Sequence, residues 1–275
     1  MPAFYAHLRF GEEVTQLLPA PFQNLISTYP EAFALGTQGP DILFYHQPMK
    51  QNDIRRRGTY LHSLSGETFF AEQAKKMTIA KDLEELLTKN GAFAAYICGF
   101  LCHFTLDTLC HPFINEHSNE EVSHGKIESE FDKYVRKQSN KPVRRYNAAG
   151  FLTKDNGTSE ACALTVEVPK EEIDLSIKTM RKINGWFSKK SEAFHFVMHT
   201  LLKIVGAEKK FGDMFLHKQD DPLCEPLNEV LYEKFIKGKE KASAFIQEYF
   251  HNLASIQATG VIENDFFRYN FSGIK

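Results

Sequence analysis

The stretch from Tyr96 to Phe104, YICGFLCHF, is apolar enough for the centre of a protein, yet it carries an imidazole, His103. An unpartnered imidazole in such surroundings bears a desolvation cost that a carboxylate or a metal ion removes. The run continues as CGFLCHFTLDTLCHP, in which His103, Asp107 and His111 recur at four-residue spacing. On a helix of about 3.6 residues per turn these three lie along one face, each step turning about 40° and rising about 6 Å. His103 and His111 therefore diverge with Asp107 between them, and one ion does not easily take both. A carboxylate offers two separate oxygens, so Asp107 is a candidate bridge between two metals about 3.5–4 Å apart or slightly more.

A second pattern follows in SHGKIESEFD, where His124 and Glu128 are again four apart and the helix begins just after Ser123. A lone H-x-x-x-D is more often a surface pair or a satisfied core histidine. Two such pairs within 26 residues, accompanied by His7, Asp41, His46 and His62, favour a metal site. Imidazole with carboxylate suits zinc, iron or manganese, and the lack of a thiol at ligand spacing argues against a cysteine-rich structural site. Open coordination positions and catalysis are the expectation.

The 275 residues, 43% hydrophobic and 13% aromatic, suffice for one large core. Helical periodicity marks Glu67–Lys89, Ala92–Cys110, Lys126–Lys137, Lys170–Ile204, Leu223–Ile236 and Lys239–Leu253, while Cys162–Val168 is the best strand-like stretch. An all-α fold follows, as a single domain over residues 1–275 with a metal-site half at 1–135 and a helical extension at 160–275. The charge of −2 provides no whole-molecule attraction for nucleic acid or anionic membrane. The uninterrupted apolar length of a membrane span is lacking, and MPAFYAHLRFGEEV does not read as a secretory signal. Five cysteines without a C-x-x-C pair fit reduced thiols and a cytoplasmic location.

In order and spacing, these residues resemble the zinc-dependent phospholipase C family, whose helical fold is shared with S1/P1-type nucleases. The likeness covers roughly residues 1–135 and rests on His7, Asp41 in GTQGPDILFY, His62 in GTYLHSLSGETF, His103 and Asp107 with His111, and His124 with Glu128. The resemblance implies two to three zinc ions. Asp41, His62, His103 and Asp107 would hold one, His111, His124 and Glu128 a second, and His7 with Asp107 a third. It further implies phosphoester hydrolysis by a metal-activated water, with Asp41 as orienting group or general base, acting on a phospholipid or a smaller phosphoester. The exported members donate a cleaved N-terminal amine to the third ion, whereas this chain begins with Met1. Pro112 directly follows His111 and disfavours helical geometry there, which leaves His117 as the alternative ligand.

Arg55 and Arg56, in the triplet Arg55–Arg57, are candidates for gripping a phosphate, against the plainer reading of a solvated loop. Arg136–Arg145 reads as a solvent-facing turn, His195 and His199 as core or surface histidines, and Asp220 and Asp221 as caps of the next helix. Phe266, Phe267, Tyr269 and Phe271 either cover the core or form an interfacial surface. Competing functions are a single-strand nuclease, which the balanced charge disfavours, and a noncatalytic metal-stabilised scaffold. An HD-type phosphohydrolase lacks its adjacent His-Asp doublet here, and a di-iron carboxylate bundle would require Glu-x-x-His pairs.

Overall fold

The apolar run around His103 becomes the middle of the longest helix and is enclosed on all sides. A computed structural model describes residues 4–144, 146–152, 157–189, 191–204, 212 and 219–275. Its helices are α1 (Phe4–Thr15), α2 (Ala20–Thr28), α3 (Pro30–Gly36), a 3-10 helix (Gly39–Tyr45), α4 (Asp53–Ser63), α5 (Gly66–Lys75) and α6 (Leu83–His117). There follow α7 (His124–Gln138), α8 (Thr158–Val166), α9 (Lys170–Phe187), α10 (Glu192–Ile204), α11 (Glu225–His251), α12 (Leu253–Thr259) and a second 3-10 helix (Asp265–Arg268). The fold is all-α: no strand occurs among the described residues, and an isolated bridge joins Ser65 to Asn270.

Every residue from Phe93 to Thr108 is buried, because α1, α2, α3, α7, α8 and α11 all pack on α6. A helix that is apolar all round belongs in a core. By length and composition α6 would cross a membrane, but 94% of its apolar window lies inside the protein. Its closest neighbour is α3. A Cβ added at Gly99 would lie 2.1 Å from the Phe33 carbonyl oxygen, and one at Gly36 would lie 2.1 Å from that of Tyr96. The two backbones therefore touch, which sets the 3-10 helix after α3 beside the polar face of α6.

Several expected boundaries shift, each for a local reason. Glu67–Lys89 is not one helix. It breaks after Lys75, where Asp82 caps α6 by accepting from Glu85 N at 2.9 Å and Asn90 holds both the N–H and the carbonyl of Thr78. The stretch expected as a strand, Cys162–Val168, is helical through Val166 and leaves the helix at Glu167, with Ala161, Cys162, Thr165 and Val166 buried at helical spacing. Lys170–Ile204 divides into α9 and α10, with Ser191 Oγ accepting from Phe194 N. Leu223–Ile236 and Lys239–Leu253 instead fuse into α11, continuous through Gly238.

Replacing Gly99 by Ala pushes α3 off α6 and is expected to lower stability by about 1–3 kcal/mol, the usual cost of overpacking. Urea denaturation of G99A checks this, and an unchanged midpoint would contradict backbone contact between the two helices.

Candidate metal centre

Four elements deliver acids and imidazoles to one place: α1 brings His7, the first 3-10 helix Asp41, α4 His62, and α6 His103, Asp107 and His111. A fifth, α7, brings His124 and Glu128. Three groups form, each with ligand atoms mutually within 4.8 Å: His7–His103–Asp107, Asp41–His62–His103, and His111–His124–Glu128. His103 is shared by the first two. Asp107 faces both histidine rows, with Oδ2 at 3.0 Å from His103 Nε2 and Oδ1 at 3.2 Å from His7 Nε2 and 3.6 Å from His111 Nε2. Glu128 Oε1 stands 3.4 Å from His111 and 3.1 Å from His124, and Asp41 Oδ1 is 3.1 Å from His62.

The opposite nitrogens of four rings decide how these contacts are to be read. Nδ1 of His62 lies 2.8 Å from Gly58 O, that of His103 3.2 Å from Thr37 O, and that of His111 2.9 Å from Phe271 O. His124 Nδ1 is 2.9 Å from the Asn115 side-chain oxygen. Oxygens of this kind only accept, so each Nδ1 donates, and each neutral ring turns an Nε2 lone pair toward a carboxylate. Two acceptors facing one another repel unless a proton or a cation stands between them. His103 Nε2 is buried with no hydrogen-bond partner, as is His7 Nδ1. Five imidazoles and three carboxylates without a thiol form a donor set that fits zinc.

Without an ion, protons take that place. Burial alone would lower the His111 pKa, but Asp107 and Glu128 overrule it and push the ring up to about 9. His62 is likewise raised, its burial outweighed by Asp41. Burial would raise the carboxylates, yet all three lie below the usual carboxylate range: at Asp107 the imidazoles of His103, His111 and His7 outweigh burial, and at Asp41 and Glu128 the hydrogen-bonded histidines contribute to the lowering.

Other expected participants lie elsewhere. His111 is helical despite Pro112 and joins the third group, whereas His117 bonds Phe113 O and stacks on that ring at 4.0 Å. His46 is buried, 3.5 Å from Glu172. The arginines proposed to grip a phosphate each have partners within the protein. Arg55 is buried and donates to the carbonyls of Phe44 and Pro48, Arg56 pairs with Asp53 at the surface, and Arg57 binds Val166 O and Glu167. Arg136 is no solvent-facing residue either: it is buried, bonded to Asp132 at 2.8 Å and set over the Tyr5 ring. Arg145 and the side chain of His199 lie outside the described residues, and His195 is buried. Asp220 and Asp221 pair with Lys133, Lys137 and Lys126 of α7, and Asp221 also accepts from Leu223 N ahead of α11.

Two supports have no signature in the spacing of ligand residues. Asp132, one turn beyond Glu128, accepts from the N–H groups of Tyr5 and Ala6 at 2.6 and 2.9 Å. It thereby caps α1 from α7 and fixes the turn that carries His7. Gly39 has φ +50°, and a Cβ there would lie 2.1 Å from the His103 ring, so this glycine makes room for the central imidazole.

The sequence pattern of the zinc-dependent phospholipase C family matches residues 6–187, about two-thirds of the chain. This protein belongs to that family. The match runs past residue 135, where the expected likeness ended, and takes in α8 and α9. No curated protein and no solved structure matches the chain.

Two outcomes test this geometry. Because zinc must displace the protons held on His62 and His111, zinc affinity is expected to climb as pH rises from about 6 to about 9. Competition with a chelator measures it, and a flat profile would contradict the pairing. Asp132→Asn should lower the zinc bound per chain while the helical circular dichroism persists. Full zinc content in this variant would mean that His7 needs no anchor on α7.

Proposed function

We propose that this chain hydrolyses phosphoesters, with the phosphodiester of a phospholipid headgroup as the leading substrate class. The observation that carries the reading is the reach of the Asp107 carboxylate, which meets His7 and His103 of its own ligand group and His111 of the next. Within this reading His7, His103 and Asp107 would hold one zinc, Asp41 and His62 would share His103 toward another, and His111, His124 and Glu128 would hold a third. Zinc bound there supplies Lewis-acid polarisation of phosphoryl oxygens and lowers the pKa of water toward neutrality.

The chain's own residues divide the remaining work. His103 is fully buried, while His62 and Asp41 retain 18% and 16% side-chain exposure and His124 retains 40%, so substrate approaches from those edges. Asp41, held below the usual carboxylate range with His62 contributing, is ionised at neutral pH, accepts a hydrogen bond from the attacking water and orients it. The Nδ1 bonds to Gly58, Thr37, Phe271 and Asn115 keep the rings from turning, so geometry is set before substrate arrives. The five cysteines are buried and free, which supports a reducing, cytoplasmic setting.

Protein purified without chelator should contain at least about two zinc ions per chain, as a two-metal mechanism requires. It should cleave phosphatidylcholine or bis-p-nitrophenyl phosphate. Asp107→Asn is expected to reduce both metal content and turnover, the latter by about a hundredfold or more. Full metal with no turnover on any phosphoester would favour a noncatalytic scaffold.

A further inference from the structure

The helix α10 is apolar on its outer side as well as on the side where Phe194, Met198 and Leu202 are half-buried. Phe196, Val197, Leu201 and Ile204 recur at three-to-four spacing on one face and are 74%, 53%, 48% and 75% exposed. A contiguous exposed stripe of this kind marks a surface that meets something apolar. Of the aromatic residues near the C-terminus, Phe267 and Phe271 are buried, Phe266 packs on the core and Tyr269 is half-buried.

Charge identifies what the stripe meets. Residues 178–218 hold nine lysines and arginines against three acidic residues, in a chain whose total is −2. On the described part of this segment Lys178, Arg181, Lys182 and Lys189 are exposed. The lone tryptophan, Trp186, is half-buried among them with Lys182 Nζ 4.7 Å from its ring. Cations, an amphipathic aromatic and an apolar stripe together suit the boundary between headgroups and acyl chains. A polyanion such as nucleic acid would use the cations but leave the stripe bare. The position also fits a role at the site, because α9 packs against the 3-10 helix that carries Asp41, and Asn184 in the C-terminal half of α9 hydrogen-bonds Tyr45 of that 3-10 helix.

We propose that α10 and the C-terminal half of α9 form a docking surface for anionic lipid bilayers, which holds the Asp41 edge of the metal centre near the membrane. The proposal deepens the phospholipase reading and rests on it for its purpose, but binding itself needs no turnover.

Zinc-loaded full-length protein is mixed with vesicles of phosphatidylcholine alone or with phosphatidylserine added. Binding is read by sedimentation and by the emission of Trp186. The expected result is sedimentation with the anionic vesicles, a blue shift of Trp186, and loss of both as salt rises. The double variant Phe196→Asp, Leu201→Asp should lower partitioning by about tenfold or more. Lys182→Glu should lower it about fivefold or more. Since these side chains are exposed, thermal unfolding should be unchanged, and so should turnover of bis-p-nitrophenyl phosphate. Failure to bind anionic vesicles, equal binding to phosphatidylcholine alone, or undiminished binding by the variants would overturn the proposal. A concentration-dependent dimer abolished by the same substitutions would instead assign the face to a second copy of this chain. An inactive wild type that still binds vesicles would sink the hydrolase reading and leave the docking surface standing.

Discussion

The buried carboxylate of Asp107 sets the terms for everything around it. It sits within reach of His7, His103 and His111 at 4% exposure, so its charge must be answered by protons or by metal. In a low-dielectric interior an unanswered carboxylate would be too costly to bury. The helices that bring those imidazoles together are therefore not interchangeable packing. Any displacement of α1, or of the segment following α3, would expose the imbalance.

The surrounding fold reads as a set of devices for holding that arrangement still. Contact between Gly36 and Gly99 seats α3 on α6, which puts the Thr37 carbonyl against His103 and Asp41 across from His62. From the other side, α7 contributes Glu128 as a ligand candidate and Asp132 as the cap of α1 on neighbouring turns. The chain end returns to close the structure: Phe271 is buried among Phe100, Phe104, His62 and His103, and its carbonyl orients His111. Residues more than 150 positions apart thus define one imidazole orientation.

How much of this was legible depended on whether the information was local. The His103–Asp107–His111 series and the His124–Glu128 pair stand on the helices their spacing implies, because helical geometry fixes the relation of residues four apart. Helix ends were less accessible. The break between α5 and α6 depends on Asp82 and Asn90 holding the loop, and α8 is helical because its buried residues meet α3 and α6. The partners of the arginines were out of reach for a related reason: nothing in RRR says which guanidinium finds a carbonyl, a carboxylate or the surface.

By itself, then, the sequence determined the helical class, the apolar core helix with acids and imidazoles on its polar line, and the chemical type of the donor set. These follow from periodicity and side-chain chemistry. Only the tertiary structure decided that His103 serves two groups, that His111 rather than His117 faces Glu128, and that Asp132 and the Phe271 carbonyl support the centre. The reason is physical. Spacing along a helix orders neighbours on that helix, whereas the directions of lone pairs across five elements are set by backbone carbonyls and caps brought together only when the chain packs.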